Sequence, residues 1–301
     1  VVEVEIENIG TVSNQLVRVT RQTVSGPEIS AANGTYVRFQ HAEGTSFGIL
    51  DGGEISELDG DPIGGTASRT GQTFDAAEVE LGLPVNPAKP GRKDLAAAAN
   101  YQPTNAPPRQ VPHPRYLFKR STALSADGGD VERPQEVEMF IPEGELVLVI
   151  GRSGRHIPVN EVNDYIFGVA AGNDWSELSW ITAGSGPRPL KYVSKATDTW
   201  AGLANRIVRG IDYSDLQITT RVNGELLSQG QSSTMINNPA RLVSYLSRYM
   251  TLQPGDLIYT GAISPEPGMR RNLEVGDVVE VVVEVLGSMQ QEVTDMPPWP
   301  Y

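Results

Sequence analysis

The chain has 301 residues, of which 39% are hydrophobic and 20% charged, and this content suffices for one large or two modest cores. A formal net charge of -13 argues against nucleic acid and anionic membranes as partners, and no apolar run approaches the roughly 20 residues that span a bilayer. With no cysteine and three histidines, disulfides and thiolate catalysis are excluded, and any metal is expected to be held mainly by oxygen. The first residues alternate like a strand and show no basic region followed by an apolar stretch, so no secretory signal is expected and the expected compartment is the cytoplasm.

The N-terminal part of the chain is predicted to form a small β unit. Residues 1–6 and 35–39 alternate between apolar and polar side chains, and residues 46–50 form a second strand-like run. Asp51-Gly52-Gly53 directly after that run is a hairpin signal. Short strands joined by tight turns are therefore expected here.

Prolines recur between residues 83 and 114, with an alanine tract at 96–99 among them. Such a composition is typical of a connector that lies on the surface. We therefore predict two domains, a small N-terminal β domain at 1–90 and a second domain at 91–301.

Next, residues 145–150 form a continuous apolar strand. Asn160 is a suitable cap for a helix that would place Val162, Tyr165 and Ile166 on one side. The small residues at 168–172 after it are expected to form a tight loop.

The C-terminal third continues the mixed pattern. Residues 216–222 followed by Asn223-Gly224 predict a hairpin, because both central positions of a type I′ turn need positive φ. Asn238, followed by a proline, predicts the start of an amphipathic helix, and strands are expected at 257–260 and 278–286. Strands outnumber isolated helices, so the predicted fold class is mostly β or α+β.

Two glutamates stand at the start of the apolar strand. Glu143 and Glu145 are two residues apart, so both carboxylates are expected on one face. Each would raise the pKa of the other, and a divalent ion or a lysine between them is the natural compensation. Asp174, after the expected loop, could supply a third oxygen ligand. The alternative is a solvated strand end and an ordinary helix-capping aspartate.

Ordered sequence blocks extend this pattern over roughly residues 95 to 290. The blocks are Asn100-Tyr101, 114–119, 143–152, 164–168, Asn173-Asp174-Trp175-Ser176, 195–200, 222–225, 234–236, 252–261 and 273–277. In order and spacing they resemble the fumarylacetoacetate hydrolase superfamily. A lone motif would be weak evidence, but agreement of so many ordered blocks is specific.

The resemblance implies a mixed β-roll catalytic domain that follows a small N-terminal domain and assembles as a homodimer. It implies Mg²⁺, or Mn²⁺ or Ca²⁺ in its place, held by Glu143, Glu145 and Asp174, an oxygen set that hard cations prefer. It also implies that Lys195 is catalytic and either neutralises oxyanion charge or moves a proton. The implied substrate-binding positions are Tyr101, Thr104, Lys119, Leu178, Ile181, Thr260 and Gly261.

The chain departs from the family where hydrolytic members activate water. Those members read N-Y-x-x-H, with a glutamate three residues later, whereas this chain has Thr104 and Pro107 at the two positions. His113 lies between two prolines and is expected to be a surface residue. Leu178 and Ile181 replace an arginine and a glutamine, which indicates a less polar substrate pocket.

Loss of the water-activating pair with retention of the metal ligands favours enolate chemistry. A metal-stabilised enolate suffices for tautomerisation, isomerisation, decarboxylation or dehydration of a 2-oxo or 1,3-dicarbonyl acid, whereas hydrolysis also needs a base for water. One alternative is a C–C bond hydrolase of the fumarylacetoacetate or acylpyruvate type with a rebuilt lid. A second is a catalytically weak ligand-binding homologue.

Overall fold

The fold is that of a computed structural model, which describes residues 2–6, 10–15, 22–103, 107, 111–182, 192–265, 268–269 and 272–298. The predicted mostly β class is confirmed, since strands far outnumber helices in these residues. Every helix in the described part of the chain is too short or too polar to cross a lipid bilayer.

The strands are numbered in chain order. They are β1 Val2–Ile6, β2 Gly10–Asn14, β3 Val24–Ser25, β4 Gly34–His41, β5 Gly44–Asp51, β6 Glu54–Leu58, β7 Arg69–Asp75, β8 Glu80–Leu81, β9 Asp94–Ala98, β10 Arg115–Lys119, β11 Leu124–Ala126, β12 Asp130–Arg133, β13 Phe140–Ile141, β14 Gly144–Ile150, β15 Gly154–Arg155, β16 Ile166–Asp174, β17 Ser176–Glu177, β18 Ala201–Leu203, β19 Arg206–Arg209, β20 Gln217–Val222, β21 Glu225–Gln231, β22 Leu257–Tyr259, β23 Val278–Val283 and β24 Gly287–Asp295. The α-helices are α1 Leu178–Thr182 and α2 Pro239–Ser247, and 3₁₀ helices span Ser121–Ala123, Val159–Tyr165 and Ser232–Thr234.

Two sheets pack face to face around the main core. One contains the path β10-β9-β22-β14-β16-β19-β4-β5-β6-β7, and the other runs β12-β24-β23-β20-β21. Leu146 and Val169 of the first sheet and Ile218 and Val281 of the second belong to one buried apolar cluster. Side chains from facing strands fill such a layer at near-crystalline density, so β14 and β16 are held rigidly in its middle.

The N-terminal strands extend the first sheet. β4 pairs antiparallel with β19, so the strands within residues 34–81 continue the sheet that contains β14 and β16. The predicted domain boundary near residue 90 stays a prediction.

The predicted turns and the predicted long helix are confirmed. β5 and β6 form a hairpin across Gly52-Gly53, and Asn223 and Gly224 between β20 and β21 have φ of 51° and 81°. The side chain of Asn238 accepts the N–H of Arg241, which caps α2 as its sequence predicts.

The loop predicted at 168–172 is wrong, because these residues lie in the fully buried strand β16. Small residues are needed here since neighbouring strands approach closely. A Cβ on Gly172 would lie 2.4 Å from Cγ2 of Val147. Asp174 is accordingly the last residue of a central strand and is fixed by the sheet.

Three further expectations also fail. Ala96 to Ala98 of the alanine tract lie in β9, which is hydrogen-bonded between β10 and β22 and is largely buried. The helix predicted after Asn160 is a 3₁₀ helix that begins at Val159 without a side-chain cap. The last predicted strand ends at Val283, and β24 follows it after a short turn.

Candidate active site

The strand register brings the predicted metal ligands together at the ends of two central strands of the first sheet. β14 and β16 are antiparallel, with Gly144 opposite Asn173 and Glu145 opposite Gly172. The start of β14 therefore lies beside the end of β16, where Asp174 stands. Main-chain N–H of Asp174 donates to the carbonyl of Glu143 at 2.8 Å. The expectation that the two glutamates share one face fits this arrangement.

Glu145 is deeply buried, with 1% of its surface exposed. Its Oε2 accepts the main-chain N–H of Gly261 at 2.6 Å. Burial, followed by the charges of Asp174 and Glu143, raises the pKa of Glu145 well above its usual range. The Gly261 hydrogen bond and the positive charge of Lys195 offset this only in part.

Glu143 is held by hydrogen bonds of both its main chain and its side chain. Its main-chain N–H donates to Oδ1 of Asn173 at 2.9 Å, and the hydroxyl of Ser176 donates to its Oε2 at 2.6 Å. About a quarter of the side chain remains exposed, 24%. Glu143 is thus oriented by the Asn-Asp-Trp-Ser block and is still reachable from solvent.

Lys195 joins two of the carboxylates. Its Nζ lies 2.5 Å from Oε2 of Glu143 and also contacts Oδ2 of Asp174. Burial would lower the pKa of Lys195, but the carboxylates of Asp174, Glu143 and Glu145 outweigh burial and hold the pKa above its usual value. The ammonium is therefore charged at neutral pH, as the lysine alternative to a divalent ion requires.

Lys119 reaches the same cluster from the opposite side. Its Nζ lies 2.5 Å from Oδ1 of Asp174 and donates to the carbonyls of Lys195 and Trp200 at 2.7 and 2.8 Å. The contact with Asp174 is an ion pair, because Oδ1 makes no well-directed hydrogen bond. Burial lowers the pKa of Lys119, and the Asp174 carboxylate opposes that change.

Thr260 and Gly261, which follow β22, lie beside Glu145. Thr260 donates through its hydroxyl to the carbonyl of Leu146 at 2.8 Å. Gly261 has a φ of 103°, and a Cβ there would lie 2.7 Å from Cβ of Asn100, so only glycine fits. The Asn100 amide in turn donates to the carbonyl of Thr260 at 2.7 Å.

The other predicted substrate-binding residues differ from one another in burial and in position. Tyr101 is 3% exposed, and burial, followed by the nearby Glu145 charge, raises the pKa of its hydroxyl. Leu178 and Ile181 are half-buried on α1, directly after β17. Thr104 lies outside the described residues. Substrate contact by these residues stays a prediction.

Two positions in the segment that differs from hydrolytic members, Pro107 and His113, belong to the described residues. Pro107 is exposed and has no titratable side chain. The His113 ring stacks on Tyr245 of α2, with the ring centroids 5.6 Å apart. This contact agrees with the expectation of a surface residue.

The chemistry of the cluster bears on whether it suits a divalent cation. In the described part of the chain, no group of three or more acidic or histidine side chains is already arranged around one point as metal ligands, and Lys195 lies between Glu143 and Asp174. The donors are nevertheless all carboxylate oxygens, and three buried or half-buried carboxylates face two ammonium groups. This surplus of negative charge and the oxygen donors fit Mg²⁺, with Glu143, Glu145 and Asp174 as the residues that would hold it.

Comparison with known proteins matches both parts of the chain. A profile of the fumarylacetoacetate (FAA) hydrolase C-terminal domain covers residues 88–294, and an Rv2993c-like N-terminal profile covers residues 35–84. The chain belongs to the fumarylacetoacetate hydrolase family. The family domain contains every residue of the site described above.

Individual relatives include named enzymes. Protein Rv2993c of Mycobacterium tuberculosis is 30% identical over 274 residues, which is 85% of this chain and 96% of that protein. Oxaloacetate tautomerase YisK of Bacillus subtilis is 29% identical over 236 residues, 73% of this chain and 75% of that protein. The crystal structure of 5-carboxymethyl-2-hydroxymuconate delta-isomerase from Mycobacterium smegmatis superposes on this chain with a TM-score of 0.76 at 28% identity. The superposition covers 87% of this chain and 100% of the isomerase chain.

Sequence reasoning missed the residues that orient the ligands. Ser176 was part of the recognised block, and its position two residues after Asp174 is the signal that could have assigned it to the same edge. Asn100 was likewise recognised without a role. The direction of Lys119 toward Asp174 depends on contacts across the sheet and left no local signal.

Proposed function

We propose that this chain is a divalent-metal-dependent enzyme that converts a 2-oxo or 1,3-dicarbonyl acid through its enolate without hydrolysing a C–C bond. The observation that carries the proposal is Lys195, whose charged Nζ contacts the Glu143 and Asp174 carboxylates in a site where the water-activating pair of hydrolytic members is replaced. The named tautomerase and isomerase among the relatives support the same class of reaction.

The residues of the site suit charge stabilisation better than activation of water. A bound divalent cation would supply Lewis acidity toward two substrate oxygens. Lys195 would turn its ammonium from the carboxylates toward the substrate oxygen on which negative charge develops. At that position it lowers the barrier to enolate formation, because a fixed positive charge in a site shielded from water acts strongly.

Proton movement at carbon is the remaining requirement. Tautomerisation removes a proton from the carbon next to the carbonyl and returns one at oxygen or at another carbon, so no net acid or base is consumed. The charged Lys195 would give a proton from Nζ to the carbonyl oxygen and, as the neutral amine, take back the proton that leaves carbon. The half-buried Leu178 and Ile181 on α1 would favour substrates with an apolar portion.

The test is turnover by the purified protein, with Mg²⁺ and with chelator, followed by NMR. The panel contains acylpyruvates, 1,3-diketo acids, oxaloacetate and 2-oxo-3-deoxy sugar acids. Metal-dependent change without cleavage is expected. Metal-dependent cleavage would instead identify a hydrolase, and no turnover of any compound would favour a ligand-binding homologue; either result rejects the proposal.

A matched pair of variants assigns the chemistry to the site. Lys195→Met should abolish turnover while the protein stays folded. Lys93→Met removes a lysine that also pairs with a buried carboxylate, Asp256 at 2.8 Å, but at the other end of β14, and should leave turnover unchanged. Equal loss in both variants would show that charge removal alone, and not Lys195, is responsible.

A further inference from the structure

Lys119 is enclosed to a degree that is rare for lysine. Its side chain has 0% exposure, and lysines are almost never fully buried unless paired. It ends β10 and extends across the face of the first sheet, with its Nζ 5.9 Å from the ring centroid of Tyr259. The structure must compensate this charge completely, because an unpaired buried ammonium is costly.

The compensation combines two hydrogen bonds with one ion pair. Nζ of Lys119 donates to the carbonyls of Lys195 and Trp200, and its charge is paired with the Asp174 carboxylate. Because the side chain has 0% exposure, a substrate has no path to the ammonium. Lys119 therefore acts through the groups that it holds.

Those groups are the two that the proposed reaction needs most. Asp174 offers Oδ1 to Lys119 and Oδ2 to Lys195, so the two lysines share one carboxylate. Lys119 also holds the main-chain carbonyl of Lys195 itself. When Lys195 turns its side chain away from Asp174, the contacts of Lys119 remain in place.

We propose that Lys119 is a positioning residue, which fixes the Asp174 carboxylate and the main chain of residues 195–200 while the Lys195 side chain exchanges between carboxylates and substrate. This inference rests on the proposed function for its catalytic consequence. Its structural consequence, a main chain at 195–200 that Lys119 orders, does not depend on any substrate.

Other charged groups near Lys119 cannot replace its contacts. The charge of Glu145 affects the pKa of Lys119, and the charge of Lys119 affects the pKa of Asp94, but both interactions act over longer distances. Asp94 is occupied by Arg92, which donates to both of its carboxylate oxygens at 3.1 Å. Asp174 and the two carbonyls are thus the direct partners of Lys119 in the described residues.

The absence of cysteine from the sequence permits a selective chemical test. Lys119→Cys introduces one thiol, which can be alkylated in denaturant with bromoethylamine or with bromoethanol before refolding. The first reagent restores an ammonium at nearly the length of lysine, and the second gives a neutral side chain of the same length. Wild type taken through the same unfolding and refolding is the control.

We expect the aminoethyl form to regain kcat to within a few-fold of wild type. The hydroxyethyl form should fold but lose about 10- to 100-fold in kcat, the usual effect of removing a group that orients a metal ligand. Its KM should change less than its kcat, because Lys119 does not touch substrate. Equal kcat in the two alkylated forms overturns the proposal, and so does a hydroxyethyl form that cannot fold, since the role would then be general stability.

Amide hydrogen exchange in the metal-free protein provides a readout that is independent of turnover. The N–H groups of Ala196 and Trp200 bond to Val193 and Thr197, and they should exchange faster in the hydroxyethyl form than in the aminoethyl form. If wild type shows no enolate chemistry but this difference is present, the proposed function fails while the positioning role stands. If turnover is present and exchange is equal in both forms, the positioning role fails alone.

Discussion

Replacing Lys195 by methionine should tighten the binding of Mg²⁺ while it removes activity. In the structure, the ammonium of Lys195 lies 2.5 Å from a carboxylate oxygen of Glu143 and also contacts Asp174. A divalent cation that uses these oxygens must first displace the ammonium and is then repelled by it. Methionine has similar length but no charge, so both penalties disappear in the variant.

The magnitude follows from the charges involved. A divalent cation and an ammonium about 4 Å apart repel each other by about 8 kcal/mol at an effective dielectric constant of about 20, twice the value for two unit charges. The flexible lysine side chain, with 7% exposure, can move away from a bound ion, so only part of this repulsion persists. We expect about 10- to 100-fold tighter binding, equivalent to about 1.4 to 2.8 kcal/mol. Without metal, the variant should be less stable by about 3 kcal/mol, since buried carboxylates lose their partner.

Isothermal titration calorimetry with Mg²⁺ measures the affinity, and urea unfolding with and without Mg²⁺ measures the stability. Lys93→Met is the matched control, because its partner Asp256 lies about 17 Å from Glu145 along β14 and is screened from the site. The control should bind Mg²⁺ as wild type does. Unchanged or weaker binding by Lys195→Met would refute the view that Lys195 competes with a cation for these oxygens.

Two further substitutions test the surroundings of the site. Gly261→Ala should destabilise the protein by about 1 to 3 kcal/mol, because its φ of 103° is unfavourable for alanine and the new Cβ meets Asn100; urea unfolding measures this, and a neutral effect contradicts it. Asp94 has a pKa raised from 3.8 to about 6, chiefly by burial, with Arg92 opposing. Since the folded-state pKa lies above the unfolded one, wild type should lose stability relative to Asp94→Asn as pH rises from 4 to 6, by up to about 3 kcal/mol. A wild type that instead gains relative stability in this range would show that the Arg92 pair dominates.

Local sequence signals were sufficient to predict the turns and the start of α2. The Asn223-Gly224 turn and the Asn238 cap depend on the conformational preferences of those residues, and these operate irrespective of what packs nearby. β16 shows the opposite case. Its glycines have low strand propensity, but a Cβ on Gly168 would meet β19 and a Cβ on Gly172 would meet β14 and β18. That constraint comes from strands that are separate in sequence.

The residues of the candidate site likewise fall into two groups, those that the sequence predicts and those that only the folded sheet brings together. The spacing of Glu143 and Glu145 predicts a shared face because a strand has a period of two, and the block that contains Asp174 was recognised by its order along the chain. Lys119 could not be placed in this way, because its contact with the Lys195 carbonyl joins residues 76 positions apart. Only the folded sheet shows that it faces Asp174 from the side opposite Lys195.

The side chains of Lys119 and Lys195 differ in how far they can move, and the charge of the site explains why both are needed. Three carboxylates without lysine would bind a cation tightly but would leave the site negative and repel an acidic substrate. With a divalent cation bound, three ionised carboxylates and two ammonium groups would leave one net positive charge. An anionic oxo acid would then be attracted. Lys119, with no exposure, stays beside Asp174, whereas Lys195, with 7%, can turn toward the substrate.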